Sequence, residues 1–197
     1  MEQYYQPLRD IARTSSGITL RNGLTLKEEG ALPVLQPRDF TKGEQPEHPL
    51  YLDHYPKSIE NHFLAKGDIL LANKGTKFAT FLFNGDYPCV ASAAFFVVRV
   101  QQVKCYPHFL KWYLEQPEAK DYLLSNSITS TVPSLSKSVL DNLSVPVPPP
   151  STQNKILKQL QVLQQQEDLL QEMLKKTQEI KNAYVWEQIE KEKHKNS

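Results

Sequence analysis

Apolar positions along the chain follow two rhythms, and the change between them divides it. Over the first half, short apolar runs alternate with clusters of Gly, Pro, Asn and Asp: LPVLQ at 32–36, DILLAN at 68–73, ATFLFN at 79–84 and CVASAAFFVVRV at 89–100. Short runs rich in aliphatic and aromatic side chains and bounded by turn residues predict β-strands. NKGT (73–76) and NGDYP (84–88) carry turn chemistry, and the Asn-Gly of the second suits a hairpin. The expectation is a mixed α/β fold built on a meandering, partly antiparallel, curved sheet.

From Tyr106 the spacing becomes helical. Pro107 fits a first helical position, Phe109, Leu110, Tyr113 and Leu114 recur on one face, and Pro117 opens a second helix through Leu124. The uncharged loop SNSITSTVPS (125–134) follows, then a short helix around LSKSVLDNL (135–143) and a proline-rich stretch ending at Pro150. Beyond it there is no Pro or Gly, and Ser151 or Thr152 is placed to cap one long helix. Ile156, Leu160, Leu163, Leu170, Leu174, Thr177 and Tyr184 recur there at three- and four-residue steps, with Val162, Leu169, Met173 and Ile180 widening the stripe. Glu167 and Lys181 interrupt the first row, so the apolar seam drifts, as happens when one helix meets more than one partner. About forty residues at 1.5 Å per residue span roughly 60 Å, more than the domain before them, so something besides its own chain has to cover the stripe. Pro148 to Pro150 then read as a stiff joint. The chain divides into an α/β domain at 1–150, a long helix for dimerisation and partner docking at 151–193, and a frayed polar end at 194–197.

Composition narrows the function. The 197 residues carry a net charge of +1, and neither part is basic: 15 Lys and Arg face 15 Asp and Glu in residues 1–150, against 8 and 7 in the rest. Any nucleic-acid contact has to come from local patches rather than from a global positive field. No apolar run reaches the roughly eighteen residues of a membrane span, and the first twenty or so lack the shape of a secretion signal, so the cytoplasm is expected. Cys89 and Cys105 lie in or beside apolar segments, which predicts buried, reduced thiols.

Catalytic signatures are missing: there is no phosphate-cradling G-x-x-x-x-G-K-S/T, no G-x-G-x-x-G after a strand and no G-x-S-x-G elbow. Glu118, in EAK at 118–120, reads as solvated helix surface, and Cys105 with His108 as a core cysteine beside a surface histidine. No metal or cofactor is expected. Weight shifts to binding, and two loops have suitable chemistry. In NKGTKF (73–78), Gly75 lets backbone approach a ligand while Lys74, Thr76 and Lys77 reach phosphates or base edges. In SNSITSTVPS, Ser125, Asn126, Thr129 and Ser130 offer the paired donors and acceptors of base-edge readout. Arg21 and Asn22 form a third candidate. On local sequence alone, 73–78 reads first as an ordinary basic hairpin loop, and 125–134 reads equally as a solvated Ser/Thr loop.

Taken in order, LRDIARTSSGITLRNG (8–23), LPVLQPRDF (32–40), FLAKGDILLANKGT (63–76), YPHFLKWYLEQPEAKDYL (106–123) and VPSLSKSVLDNLSVPVPPPSTQNKI (132–156) resemble the specificity subunit of type I restriction-modification systems. The combination of K-G-D-I-L-L-A with a later V-P-x-P-P-x-x-x-Q-x-x-I and a long helix carries the resemblance. It implies an α/β target recognition domain that reads double-stranded DNA through the major groove, and a coiled-coil helix that docks methyltransferase subunits. It also implies no catalysis by the chain itself. Members of that family usually carry two recognition domains and two helices. One of each implies a half-sized subunit that pairs with itself or with a second half-subunit through its helix, a symmetric pair reading an inverted repeat. The rival reading of the same residues is a coiled-coil interaction or scaffold protein whose α/β part is structural. A third, a small hydrolase using Glu118 or Cys105 and His108, lacks a constellation.

Overall fold

The computed structural model describes residues 4–20, 24–41, 46–101, 103, 105–128 and 131–195, with side chains as far as residue 192. The chain divides into two units, Met1–Gln153 and Asn154–Ser197.

The first unit is built on two four-stranded sheets and a short ribbon. Strands β1 (Tyr5–Pro7), β2 (Ala12–Ser16), β3 (Leu26–Lys27), β4 (Leu32–Leu35), β5 (Leu50–Leu52), β6 (Ile69–Ala72), β7 (Thr80–Leu82), β8 (Val90–Ala91), β9 (Phe95–Val100) and β10 (Ser144–Pro146) are joined by helices α1 (Leu8–Ile11), α2 (Pro107–Leu114), α3 (Pro117–Ser125) and α4 (Lys137–Asp141). One sheet runs β2-β9-β6-β7, all antiparallel; the other runs β3-β5-β4-β8, where only the β4–β8 pair is parallel. β1 pairs with β10, so residues near the start and the end of the domain close on each other.

Alternation along the central strands explains the layering. Leu70, Ala72, Phe95 and Val97 pack with Leu35, Phe40, Cys89 and Ala91, which joins the two sheets through one core. Ile69, Leu71, Phe96 and Val98 point the other way and are buried as fully, and helices α1 and α4 pack at β2 while α2 packs at β7. A central strand buried on both faces reads as an unbroken apolar run, which is why β6 and β9 stand out in the sequence. A smaller core of Ile18, Leu32, Val34, Leu52, Ile59 and Val90 supports the second sheet.

Two expectations are corrected here. The run 89–100 is not one strand: it breaks at Ser92–Ala94, and β8 and β9 belong to different sheets. No Gly or Pro marks the break. Small side chains permit it and backbone partners pin it, with Ser92 N–H donating to Leu35 O at 2.9 Å and Ala93 N–H to Ile18 O at 2.7 Å. Gly17 allows this crossing, because a Cβ there would lie 2.1 Å from Ser92 O. NGDYP, second, makes no hairpin, since β7 and β8 do not pair and the segment carries the chain between sheets.

Helix α5 (Pro150–Lys195) has 46 residues, about 70 Å at 1.5 Å each. It starts one residue earlier than Ser151, with Pro150 in the first position where its missing N–H costs nothing. Ser151 and Thr152 therefore sit inside the first turn rather than capping it, and Thr152 N–H and Gln153 N–H donate to Pro149 O at 2.8 and 3.1 Å. Among the described residues no helix is long and apolar enough to cross a membrane.

Candidate nucleic-acid interface

Strands β6 and β7 are antiparallel neighbours, and the segment 73–78 turns between them, closed by Ala72 N–H donating to Ala79 O at 2.8 Å. Its two ends are fixed. Asn73 donates from its backbone N–H to Ala94 O at 3.0 Å and from Nδ2 to Ala93 O at 2.8 Å. Phe78 buries its ring to 2 % exposure although its φ is +40°, a region that is costly for a bulky residue and held only where packing over-determines it. Between these anchors Gly75 takes φ +103° with no atom near the position of a Cβ, so glycine is required there by backbone geometry and not by space. Lys74, Thr76 and Lys77 are exposed.

The second loop leaves α3, whose last residue is Ser125. Asn126 Nδ2 donates to Tyr122 O at 2.8 Å and Ser127 Oγ to Leu124 O at 2.8 Å, satisfying carbonyls at the helix end. Ile128 and Ser134 then exchange backbone hydrogen bonds of 2.8 and 3.2 Å, clasping the base of the loop.

These two segments meet. Gly75 N–H donates to Pro133 O at 2.9 Å, Leu135 N–H donates to Asn73 O at 2.8 Å, and Lys74 is bridged to Ser134. One surface therefore presents Lys74, Thr76 and Lys77 beside Ser125 and Asn126. Neither segment holds an acidic residue, so its local charge is positive although that of the chain is close to zero. Ile128 is 62 % exposed in the same loop, and Val132 is exposed as well, giving apolar groups of the kind that touch thymine methyls. Sequence reasoning passed over these two because it weighed only hydrogen-bonding side chains. Of the remaining candidates, Arg21, Asn22, Thr129 and Ser130 lie outside the described residues.

Other titratable groups are arranged differently. Burial pushes the Cys105 thiol up to about 12 and, with the Asp68 charge adding, Cys89 to about 12 as well, so both are held as neutral thiols. His108 is exposed on α2 while Cys105 is buried, and Glu118 stands in the first turn of α3. Among the described residues no group of three or more His, Cys, Asp and Glu is placed to hold a metal ion.

Gln153 is the second feature missed. It is fully buried, its Oε1 accepts from Tyr106 N–H at 2.9 Å and its Nε2 donates to Pro148 O at 2.7 Å, so the first turn of α5 is tied to the domain. Further along α5, Ile156 and Leu160 are half-buried, whereas Leu163, Leu170, Leu174 and Tyr184 are exposed, Leu174 to 68 %.

Residues 5–182 match the family model described as the type I restriction modification DNA specificity domain. Among solved structures the chain is similar to the HsdS subunit from Thermoanaerobacter tengcongensis, at 20 % identity and a TM-score of 0.64 over 84 % of this chain and 39 % of that one. It is similar to a chain from a structure of the type I R-M system concerned with complex assembly and conformational transition, at 21 % identity and 0.66 over 86 % and 40 %. The S subunit of the type I restriction-modification system from M. genitalium also aligns, at 13 % identity and 0.57 over 82 % and 38 %. The chain thus spans about two-fifths of the length of these solved chains. No protein of curated function matches it.

Proposed function

The chain belongs to the type I restriction-modification DNA specificity family, and on that premise we propose that it selects the DNA sequence of a bipartite site to which methyltransferase subunits, and with them a nuclease, are directed. In this reading residues 1–150 recognise double-stranded DNA, residues 151–193 hold partners, and the chain carries out no catalysis and needs no cofactor. It works in the cytoplasm, in contact with the genome.

The observation that carries the reading is the hydrogen-bonded contact of the loop at 73–78 with residues 133–135, which joins two segments of lysines, hydroxyls and an amide, neither of which contains an acidic residue. Lys74 and Lys77 meet phosphates, which position the domain, while Thr76, Ser125, Asn126, Thr129 and Ser130 address base edges, which specify the sequence. Arg21 and Asn22 are further contacts to the DNA in this reading. The exposed apolar stripe of α5, with Leu163, Leu170, Leu174 and Tyr184, supports docking of the methyltransferase subunits and pairing with a second copy or a second half-subunit.

Binding of the full chain, together with its methyltransferase subunits, to a randomised pool of duplexes tests this. Recovery of one enriched sequence pattern, with affinity falling steeply as salt rises, is the expected result. A complex that assembles yet enriches no pattern would overturn it in favour of a scaffold role.

A further inference from the structure

A second polar surface lies on the same sheet, at the opposite end of β6 from the loop at 73–78. β2 and β9 pair with Arg13 directly opposite Arg99. Such positions place both side chains on one face about 5 Å apart, where like charges repel. One of the two is already paired. Asp68, only 1 % exposed, accepts from Arg99 Nε at 2.8 Å and from Arg99 Nη2 at 2.6 Å, and Arg99 Nη2 also donates to Phe63 O at 3.1 Å. The Asp68 carboxylate is engaged further by Ala65 N–H at 2.8 Å. Arg99 is thus clamped, with its Nη1 edge left over. Arg13 is exposed and has no carboxylate partner among the described residues.

Around this pair Ser15, Ser16, Asn61 and His62 line a cleft of about 320 Å³. It offers two guanidinium groups, two hydroxyls, an amide and an imidazole, and the Asp68 carboxylate behind Arg99 is taken up by that arginine. Guanidinium forks match the oxygen geometry of phosphate, and a bound anion between the two arginines would turn their repulsion into attraction. We propose that this cleft is a phosphate-binding subsite occupied by a backbone phosphodiester of the bound DNA, with Arg13 supplying the charge and Arg99 held in register by Asp68. The subsite rests on the DNA-reading function and adds a contact, remote from the two loops, that positions the duplex without reading its sequence.

The test compares wild type, Arg13→Gln and Arg13→Lys as full chains with their methyltransferase subunits, on a duplex carrying the enriched pattern and on one without it, across roughly 50 to 200 mM salt. Arg13→Gln is expected to weaken both complexes by the same factor, to leave discrimination unchanged and to make the log–log salt slope shallower by about 0.9, one phosphate contact. Arg13→Lys should restore the slope while recovering affinity only in part, since an ammonium keeps the charge and loses the fork. Because Arg13 is exposed, the thermal unfolding of both variants should match wild type. An unchanged slope in Arg13→Gln, with wild type still selective, overturns the subsite alone; a wild type with no salt-dependent DNA binding overturns the reading beneath it. Titration with inorganic phosphate separates the sources, since wild type that binds the free ion through Arg13 while its DNA slope ignores the substitution assigns the cleft to a small phosphate and overturns the backbone contact.

Discussion

Lys74 and Asn126 stand on one surface and should fail in different ways. Lys74 is an exposed cation in a loop held by buried Phe78 and by Asn73, so Lys74→Ala removes charge without disturbing the anchors. Affinity should fall on every duplex, with the salt slope shallower by about 0.9. Asn126 already donates one amide hydrogen to Tyr122 O, which leaves its carbonyl oxygen and second N–H for a base. Asn126→Ala should relax discrimination at one base position by about 1 to 3 kcal/mol while leaving the salt slope in place. Competition binding against single-position duplex variants distinguishes the two, and identical profiles for both substitutions would remove the division of labour between them. The residue types of this surface could be read from the sequence, because lysines beside a glycine and runs of Ser, Thr and Asn are local facts. That the two loops share a surface could not, since the hydrogen bond from Gly75 to Pro133 joins segments far apart in the chain.

At the scale of elements, legibility follows burial. β6 and β9 are apolar on both faces and stand out as runs, whereas β2, ARTSS, buries only Ala12 and Thr14 and looks like loop. β3 and β8 have two residues each and carry no period at all. The break between β8 and β9 left no mark either, because its pinning partners Leu35 and Ile18 come from other parts of the chain. Gln153 is the sharpest case. In the sequence it is one letter of a motif beside polar neighbours; in the fold its buried amide holds Tyr106 N–H and Pro148 O, at the start of α2 and within the proline run. Gln153→Ala should leave these two part-buried groups without these partners and cost about 1 to 2 kcal/mol, taking roughly 0.5 to 1 for each. Urea unfolding followed by circular dichroism measures this. A loss below about 0.5 kcal/mol would show that these two hydrogen bonds add little to the stability of the domain.

For the molecule as a whole, the apolar stripe on α5 sets one expectation and the buried thiols another. A helix of 46 residues with Leu169, Leu170, Met173 and Leu174 exposed has no stable reason to remain single in water. Sedimentation should find wild type paired at micromolar concentration, and the Leu170→Glu, Leu174→Glu double substitution should leave it monomeric with the α/β domain still folded. A wild type that stays monomeric with and without methyltransferase subunits would refute pairing through this face.

The thiols fix how the fold should respond to alkali. Burial raises Cys89 and Cys105 from an ordinary 9.0 to about 12, and burial chiefly, with Tyr5 and Glu118 adding, raises Tyr113 from 10.0 to about 12, its hydroxyl donating to Ser144 O at 2.8 Å. Well below pH 9 the folded and unfolded chains both keep these protons, and the groups add nothing to the pH dependence. From about 9 for the two thiols, and from about 10 for Tyr113, up to about 12, the unfolded chain has released protons that the folded chain still holds. Stability must then fall as pH rises, by up to about 1.4 kcal/mol per pH unit for each group. Marginal stability makes alkaline unfolding within that window the expected outcome. Cys105→Ala should make the slope of unfolding free energy against pH shallower by close to one group's share, at the cost of a small cavity that lowers stability equally at every pH. Urea titrations at three values between pH 8 and 11 measure slope and offset separately. An unchanged slope would mean that the Cys105 thiol ionises as readily in the fold as out of it, and that its surroundings are wetter than a side chain with 0 % exposure allows.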